Sequence, residues 1–387
     1  MGLKVTKKGL KIRKMDIPFN IPYVCGNEEK YLVEVLNKRE FSGNSSFTKK
    51  CEQIFSENFS FENAFLTHSG TSALELAASL CNFQPTDEVI LPSFAYLTVA
   101  SSFLSKGAIL VFADSEKNRP HICPKSIEQK ITSNTKAIVV IHYGGISCDM
   151  DSIMCLAAKH NLIVIEDCAH SIDAMHQQEY LGKKGDLSIF SFHETKNIHC
   201  GEGGLLVVNK QEWVNKAQKI WQEGSNRNDF QKGLVGKYEW VEMGSSYQPS
   251  ELNAAFLLAQ LENIKLVTEK RKKLWDNYYN ELGSYLLNLG FQLPLLNENH
   301  NAHIFYIKCK HKQQRDELIQ FLGKKGISAT FHYPPLHLSP YYLKNNPGIC
   351  LPNVENWADT IVRLPIYFSL SFEEQAYIIN TIKSVLT

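Results

Sequence analysis

Residues 137–170 of the chain read AIVVIHYGGISCDMDSIMCLAAKHNLIVIEDCAH, and the pattern of this stretch predicts the fold class. The apolar runs at 137–141 and 162–165 are typical of buried strands, and the spacing of apolar residues at 150–160 indicates a helix between them. Two apolar strands joined by a helix favour a parallel pair whose faces are covered. Asp167 follows the second strand, at the edge of the sheet where ligands usually bind.

The same alternation of apolar runs and helical patterns extends over residues 65–209. It predicts further strands at 89–91, 109–112, 187–192 and 205–208, and a helix at 72–81. A helical stretch (250–282), a strand (304–309), a helix (313–325) and a last helix from Ser371 follow. We therefore predict an α/β fold with a basic extension (1–16), a large domain with a mainly parallel sheet (17–285) and a smaller α+β domain (286–387).

Composition and charge exclude several classes of protein. Lys plus Arg is 41 and Asp plus Glu is 40, which argues against a broad basic face for nucleic acid. No apolar run approaches the roughly 20 residues that span a bilayer, although Gly2 and Thr6 match a myristoylation pattern.

The ten cysteines include no C-x-x-C pair, and the first residues lack the apolar core of a secretory signal, which favours reduced thiols in a cytoplasmic protein. His193, His199 and Cys200 are possible zinc ligands, but no second ligand pair lies at metal spacing, so we predict no metal.

Two polar residues lie at the ends of predicted strands. Asp167 ends one strand, and Lys196 lies four residues beyond Phe192, at the end of another. An acid and a lysine on neighbouring loops also form ordinary surface ion pairs, so these two residues alone do not decide the function.

Small and hydroxyl residues nearby predict a phosphate site. The segment HSGTSAL at 68–74 joins an apolar run to the start of a helix. Gly70 lets a ligand approach the backbone closely, while Thr71 and Ser72 add hydroxyls beside the free N–H groups of the helix. Ser191 supplies another hydroxyl five residues before Lys196. Ser and Thr are also ordinary helix caps, so this segment alone does not establish a phosphate site.

Tyr96, in PSFAY at 92–96, follows a strand end and is able to stack on a flat ring, with a core position as the alternative. A phosphate cradle, an aromatic ring, a carboxylate and a lysine are together what pyridoxal phosphate (PLP) chemistry requires. The lysine amine forms an imine with the cofactor and later moves a proton, while the carboxylate keeps the pyridine nitrogen protonated. We therefore predict a PLP site with Lys196 and Asp167 as its catalytic residues.

Five segments of the chain resemble the DegT/StrS family of PLP-dependent sugar aminotransferases in order and spacing. They are SGTSAL (69–74), PSFAY (92–96), EDCAH (166–170), SFHETKN (191–197) and GEGG (201–204), and the similarity extends from Ile17 to the end of the sequence. The resemblance implies the aspartate-aminotransferase fold (PLP-dependent fold type I) and a homodimer with shared active sites. It also implies pyridoxamine phosphate as the intermediate form of the cofactor.

The resemblance also implies a role for each matched residue. Lys196 is the Schiff-base lysine, Asp167 pairs with the pyridine nitrogen, and His170 lies beside the ring hydroxyl. Tyr96 stacks on the ring, and Asn226 reaches the phosphate of the other subunit's cofactor. The residues expected to hold the phosphate within the subunit are Gly70, Thr71, Ser72 and Ser191.

Four segments resemble the family members that aminate dTDP-linked 4-keto-6-deoxyhexoses for surface polysaccharides such as the O-antigen of lipopolysaccharide: IPFN (17–20), FHETKN (192–197), GSSY (244–247) and FHY (331–333). The implied donor is L-glutamate. Whether the product has the galacto or the gluco configuration at carbon 4 stays open, as does a GDP- or UDP-linked acceptor. His193, His332 and Tyr333 are the predicted substrate contacts, with a polar loop packed on the small domain as the alternative for the last two.

Single residues depart from the family pattern or distinguish it from rival functions. Gln248 stands where many family members have Arg, which leaves open how the glutamate carboxylates and the sugar are held. A sugar dehydratase of the same fold would have histidine at position 196, and a non-catalytic regulatory member would have no need of Lys196 and Asp167. A nicotinamide enzyme is disfavoured because no G-x-G-x-x-G follows a predicted strand.

Overall fold

A computed structural model describes residues 15–296 and 299–386. Residues 1–14 of the predicted basic extension, with Gly2 and Thr6, lie outside the described residues. The strands are β1 (Ala64–Thr67), β2 (Glu88–Pro92), β3 (Ile109–Ala113), β4 (Thr135–Ile141), β5 (Ile163–Asp167), β6 (Met175–His176), β7 (Glu179–Tyr180), β8 (Leu187–Ser191), β9 (Gly204–Val208), β10 (Phe305–Lys308) and β11 (Ile361–Leu364). The helices are α1 (Glu28–Lys38), α2 (Ser46–Phe59), α3 (Gly70–Cys81), α4 (Leu97–Leu104), α5 (Pro124–Lys130), α6 (Met150–His160), α7 (Val214–Trp221), α8 (Arg227–Gln231), α9 (Glu251–Glu262), α10 (Ile264–Asn288), α11 (Lys312–Lys324), α12 (Pro340–Leu343), α13 (Pro352–Thr360) and α14 (Phe372–Val385).

The central sheet has the strand order β1-β9-β8-β5-β4-β2-β3. Neighbouring pairs from β8 to β3 are parallel, while β9 is antiparallel to both β8 and β1. The prediction of a mainly parallel sheet is confirmed. Its strands are mostly apolar because both faces of the sheet are covered, and the successive side chains of β4 from Ala137 to Ile141 are all buried.

Helices pack on both faces of this sheet. On one face, Leu76 of α3 and Phe103 of α4 belong to the same hydrophobic cluster as Val139. On the other face, Ile153 of α6 clusters with Val164 of β5. In the part of the chain that the structure describes, no helix combines the length and the apolar character needed to cross a bilayer.

The register of the parallel strands brings their carboxyl ends together. Ile141 at the end of β4 pairs with Asp167 at the end of β5, and Asp167 pairs in turn with Ile189 of β8. Residues that follow β4, β5 and β8 therefore meet at one edge of the sheet, which is where open α/β sheets bind their ligands.

The C-terminal part is an α+β unit with the antiparallel pair β10 and β11. Its hydrophobic cluster includes Leu274 and Leu286 of α10, so this helix extends from the central sheet into the C-terminal core. Ile17 belongs to the same cluster and donates a backbone hydrogen bond to Gly326 (2.7 Å). The domain limit predicted at residue 285 thus falls inside one continuous helix, and the division into two domains stays a prediction.

Candidate active site

A cavity of about 890 Å³ opens at the edge of the sheet where the parallel strands end. Ile141, Asp167, Ile189 and Ser191 line it from the ends of β4, β5 and β8. The N-terminal segment at 19–20 and C-terminal residues at 331–336, 338–340, 363–364 and 366 line it as well. The cavity therefore lies between the central sheet and the C-terminal unit.

Lys196 lies on a tight loop after β8 and lines this cavity. Its backbone N–H donates to the carbonyl of His193 (2.9 Å), and the N–H of Glu194 donates to the carbonyl of Gly201 (2.9 Å). Burial lowers the pKa of the Lys196 amine from 10.5 to about 8, with Asp167 opposing this change and Arg363 reinforcing it. A larger fraction of this amine is therefore neutral, and nucleophilic, near neutral pH than for an ordinary lysine.

Asp167 is the last residue of β5, and its side chain is buried at the same cavity. Its Oδ1 accepts a hydrogen bond from the backbone N–H of Ala169 (2.9 Å). Burial raises the pKa of the Asp167 carboxyl, while the Ala169 bond and the Lys196 charge oppose that rise. The acid and the amine thus lie at one site.

The first turn of α3 forms a cradle with Ser191. The helix begins at Gly70, and the Ser69 side chain caps it by accepting a hydrogen bond from the Ser72 N–H (3.1 Å). A Cβ atom on Gly70 would lie 2.9 Å from the Cβ of Ser191, so only glycine fits there without displacing a neighbour. Ser69, Gly70, Thr71 and Ser191 all line the cavity.

Of the four residues predicted to hold the phosphate within the subunit, the structure brings all but one to the cavity. The Ser72 side chain is buried away from the cavity lining, where its Oγ lies 2.6 Å from Nε2 of His68 and 2.8 Å from Oγ of Ser69. Ser69, which the sequence prediction omitted, lines the cavity instead. The sequence contained a signal for Ser69, because serine is a preferred N-cap residue and Ser69 directly precedes Gly70, the first residue of the helix.

Aromatic and imidazole rings form another part of the cavity wall. Tyr96 is 57% exposed and lines the cavity, with its ring centroid 6.5 Å from that of Tyr333. The rings of His332 and Tyr333 stack with centroids 3.8 Å apart, and those of His170 and His303 lie 4.5 Å apart. Tyr96 is therefore a surface of the cavity and not a core residue.

The histidines of this wall are neutral. Burial lowers the pKa of His170, His303 and His332, and the nearby Lys196 and Arg363 lower it further. Nδ1 of His170 accepts a hydrogen bond from the Gly144 N–H (3.4 Å), so its ring proton lies on Nε2.

Arg363 and His303 are cavity residues that the sequence analysis missed. Arg363 belongs to β11, and Nδ1 of His303 lies 2.8 Å from Oδ1 of Asn197. A signal was present for Arg363, because a lone arginine inside the apolar run IVRL (361–364) is unusual unless it has a function.

Two other predicted site residues, and Gln248, lie at the rim of the cavity or outside it. His193 is at the rim, with Nδ1 3.0 Å from Oγ1 of Thr195. Asn226 is not part of the cavity lining, because its side chain accepts from the Glu239 N–H (2.7 Å) and donates to the Lys237 carbonyl (3.2 Å). Gln248 does not line it either.

The possible zinc ligands make other contacts. Nε2 of His199 lies 2.8 Å from the Tyr23 carbonyl, and the Cys200 thiol donates to the carbonyl of Glu202 (3.2 Å). All ten cysteines are free thiols. Among the described residues, the group with spacing suited to a metal is the buried trio of His142, Glu166 and Cys168.

Comparison with known proteins decides the family. Residues 23–383 match the model of the DegT/DnrJ/EryC1/StrS aminotransferase family. The chain belongs to this family.

It is similar to the spore coat polysaccharide biosynthesis protein SpsC of Bacillus subtilis (29% identity over 96% of this chain and 97% of SpsC). Among solved structures it is similar to PseC of Helicobacter pylori, an aminotransferase involved in the biosynthesis of pseudoaminic acid (TM-score 0.88, 25% identity, 96% of this chain and 99% of PseC). It is also similar to NtdA of Bacillus subtilis with bound pyridoxamine phosphate (TM-score 0.85, 26% identity, 97% of this chain and 87% of that chain).

The family membership confirms several predictions. The chain is a PLP-dependent sugar aminotransferase of fold type I, which uses an amino donor and a sugar substrate. Its cofactor is PLP, with pyridoxamine phosphate as the intermediate form. The cavity fits this cofactor, because Gly70, where an added Cβ would collide with Ser191, the Lys196 amine and the Asp167 carboxylate all line it.

Proposed function

We propose that this enzyme transfers the amino group of L-glutamate to carbon 4 of a dTDP-linked 4-keto-6-deoxyhexose. The product would be a dTDP-4-amino-4,6-dideoxyhexose, with galacto or gluco configuration, for a surface polysaccharide. Among family members, the chain resembles dTDP-4-amino-4,6-dideoxygalactose transaminase in the four segments at 17–20, 192–197, 244–247 and 331–333.

One observation carries this proposal. Three of those four segments, which are far apart in the sequence, contribute residues to the same cavity: Phe19, Lys196 and Tyr333 are examples. The fourth segment adjoins the phosphate cradle, since the Tyr247 carbonyl accepts a hydrogen bond from the His68 N–H (3.1 Å). The similarity is thus concentrated where the substrate would bind. The cavity volume of about 890 Å³ is at the upper end of the usual range of roughly 300–1,000 Å³ and suits a cofactor with a second molecule.

Lys196 and Asp167 are the proposed catalytic residues. When bound, PLP withdraws electrons from the carbon that bears the amino group. Asp167 would keep the pyridine nitrogen protonated, and burial at the end of β5 keeps water from screening that interaction. Lys196 would hold the cofactor between turnovers and move a proton at the donor α-carbon, for which its lowered pKa of about 8 is suited. The same groups would act in reverse on carbon 4 of the sugar.

The remaining residues would bind and orient. Gly70, Thr71 and Ser191 would hold the phosphate at the N-terminus of α3, where free N–H groups favour an anion. Ser72 would support the cradle through its hydrogen bonds to Ser69. Tyr96 would stack on the ring.

His170 would donate its Nε2 proton to the ring oxygen, because the Gly144 amide occupies Nδ1. His193 at the rim and Tyr333 on the wall remain the proposed contacts to the sugar.

A homodimer with shared active sites is part of the proposal. The segment after Asn226 exposes large apolar side chains, among them Leu234 (71%), Trp240 (75%) and Met243 (74%). A patch of this kind favours a covering partner. Asn226 holds the segment through its bonds to residues 237 and 239, which would direct the loop toward the partner's phosphate. Light scattering tests this, and a monomer with full activity would contradict it.

The substrate is tested by incubating the enzyme with dTDP-4-keto-6-deoxyglucose and L-glutamate, followed by NMR of the product. The ring coupling constants of the proton on carbon 4 distinguish the galacto from the gluco configuration. UDP- and GDP-linked ketosugars serve as matched comparisons, because they differ in the nucleotide. Absence of amination with the dTDP sugar, with amination of another, would remove the dTDP assignment.

A further inference from the structure

His303 lies just before β10, and its buried ring lines the catalytic cavity. Nδ1 of His303 is 2.8 Å from Oδ1 of Asn197. The amide nitrogen of Asn197 donates to the Asn301 carbonyl (2.9 Å), so the amide oxygen is the acceptor and Nδ1 of His303 carries the ring proton. Because Asn197 directly follows Lys196, this hydrogen bond connects the His303 ring to the loop of the catalytic lysine.

The His303 ring also packs against the ring of His170. Their centroids are 4.5 Å apart and their planes differ by 31°, whereas the Tyr143 and His332 rings lie farther from His170, at 5.7 Å and 6.4 Å. The hydrogen bond from the Gly144 N–H to Nδ1 of His170 measures 3.4 Å, which is long and therefore weak. The orientation of the His170 ring thus depends on packing, and His303 is the closest of these rings.

Backbone hydrogen bonds hold His303 in place. Its carbonyl accepts from Nη2 of Arg271 (2.9 Å), and its N–H donates to Oδ1 of Asn301 (3.2 Å). The Asn301 amide also donates to the His170 carbonyl (2.9 Å). Ala302 has a φ of 54°, which is unfavourable for a residue with a Cβ. Such a conformation persists only where the surrounding structure enforces it, so the position of His303 is fixed.

Both rings of this pair are neutral. Burial lowers the pKa of His303 and of His170, and the charge of Lys196 is the next largest cause for each. The other cations and imidazoles that lower the pKa of one ring or both are Arg271, His332 and Arg363. The two rings therefore pack together without repulsion between charges.

These contacts join two residues that would serve adjacent positions of the cofactor ring. Lys196 would bond to the aldehyde carbon, and His170 would donate to the hydroxyl on the neighbouring ring carbon. We propose that His303 is a positioning residue that sets the His170 ring relative to Lys196; this rests on the roles proposed above for those two residues. The hydrogen bond to Asn197 fixes His303 to the lysine loop, and the ring contact passes that position on to His170.

The test measures the pH at which the visible absorbance of the bound cofactor changes. A donor to the ring oxygen stabilises its ionised form, so the chromophore loses its proton at a lower pH. In His303→Leu the His170 ring loses its closest ring contact, and we expect the midpoint to rise by roughly one pH unit, which is the effect of one hydrogen bond to a charged group. Asn197→Leu should raise it as well. His303→Gln keeps an N–H for Asn197 and should give a smaller rise.

NMR of the cofactor-free full chain with nitrogen-labelled histidine gives a second readout. In the wild type, the His170 signal, assigned through His170→Gln, should show one tautomer with the proton on Nε2. In His303→Leu we expect both tautomers, because the ring is no longer held toward the Gly144 N–H. A role of His303 in stability alone would leave this signal unchanged.

His300→Leu is the matched control. His300 is a buried histidine of the same segment, its Nδ1 accepts from the Ala302 N–H (2.9 Å), and its ring packs on Trp275 (4.3 Å), but it does not line the cavity. Its substitution should lower the free energy of unfolding and leave the absorbance midpoint and the His170 tautomer as in the wild type.

Three results would overturn the role of His303: an unchanged midpoint in both His303→Leu and Asn197→Leu, a midpoint that falls, or an equal rise in His300→Leu. A single His170 tautomer in His303→Leu would overturn it too. Absence of a borohydride label on Lys196 in the wild type would instead overturn the proposed function.

Discussion

Oγ of Ser93 lies 2.7 Å from Nδ1 of His337, although 244 residues separate them in the sequence. Ser93 follows β2 at the end of the central sheet, and His337 lies in the C-terminal segment that carries His332 and Tyr333. The His337 N–H also donates to this hydroxyl (3.0 Å), and the Leu336 N–H donates to the Ser93 carbonyl (3.0 Å). These bonds join the loop of Tyr96 to the segment of Tyr333.

Ser93→Ala should destabilise the protein and loosen the cavity. The substitution leaves two buried polar atoms of His337 without partners, which costs about 1–3 kcal/mol of unfolding free energy. The substrate KM should also rise, because Tyr333 is no longer held against Tyr96. Chemical denaturation and steady-state kinetics measure the two effects. Ser102→Ala is the control, since the Ser102 hydroxyl is buried with no partner, and an equal loss there would refute the role of the bond.

Capture of PLP by the cofactor-free protein should accelerate with rising pH, with a midpoint near the Lys196 pKa of about 8. Only the neutral amine condenses with an aldehyde, and burial lowers the pKa, so the reactive fraction grows from pH 7 to pH 9. Stopped-flow absorbance at a series of pH values measures the rate. Lys196→Ala should show no covalent absorbance and no transamination, and normal turnover by that variant would exclude Lys196 as the catalytic lysine.

Asp167→Asn should reduce turnover by roughly 10²-fold or more, because the neutral amide no longer stabilises a protonated pyridine nitrogen. The fold should be retained, as an amide oxygen is still able to accept from the Ala169 N–H. Steady-state kinetics combined with circular dichroism separates the two effects. Activity close to that of the wild type would refute the electrostatic role.

Gly70→Ala should weaken PLP binding, because its Cβ would lie 2.9 Å from the Cβ and 3.2 Å from the Oγ of Ser191. The Ser191 hydroxyl would have to move, and it would then no longer be placed to bind the phosphate. Gly323→Ala is a matched helical control with no atom within 4 Å of the added carbon, so it should bind PLP normally. Equilibrium dialysis gives both dissociation constants, and equal values would contradict the cradle.

Glu166→Gln should lower the unfolding free energy by about 2–4 kcal/mol, since a buried charged acceptor with three donors is lost. Its carboxylate accepts from the N–H groups of Gly185 (2.6 Å) and Gly182 (3.1 Å) and from Nε2 of His142 (2.8 Å). Burial alone would raise the Glu166 pKa, but these bonds outweigh it and hold the pKa below 4.5. The stabilisation is therefore present above pH 4.5 and lost as the pH falls through the folded pKa. Denaturation of both proteins at pH 7 and pH 4 measures this, and a difference that grows on acidification would contradict it.

Local sequence patterns were sufficient to predict those elements whose conformation depends on residues close together in the chain. The apolar runs before Asp167 and Lys196 predicted buried strands, and parallel strands necessarily align their carboxyl ends at one edge. The helix Met150–His160 was predicted to the residue because its apolar spacing is local. The helix at 70–81 was predicted two residues short, since Gly70 and Thr71 were assigned to the phosphate loop.

Residue types and periods of two to four residues along the chain were enough to predict the parallel strands of the sheet and the acid and the lysine that follow two of them. The strand order, the position of Arg363 and His303 at the cavity, the burial of the Ser72 side chain and the hydrogen bonds of His337 to Ser93 appeared only in the folded structure. Such contacts depend on how the C-terminal unit packs on the end of the sheet. That packing depends on hydrophobic side chains from many parts of the chain, so no short stretch of sequence predicts it.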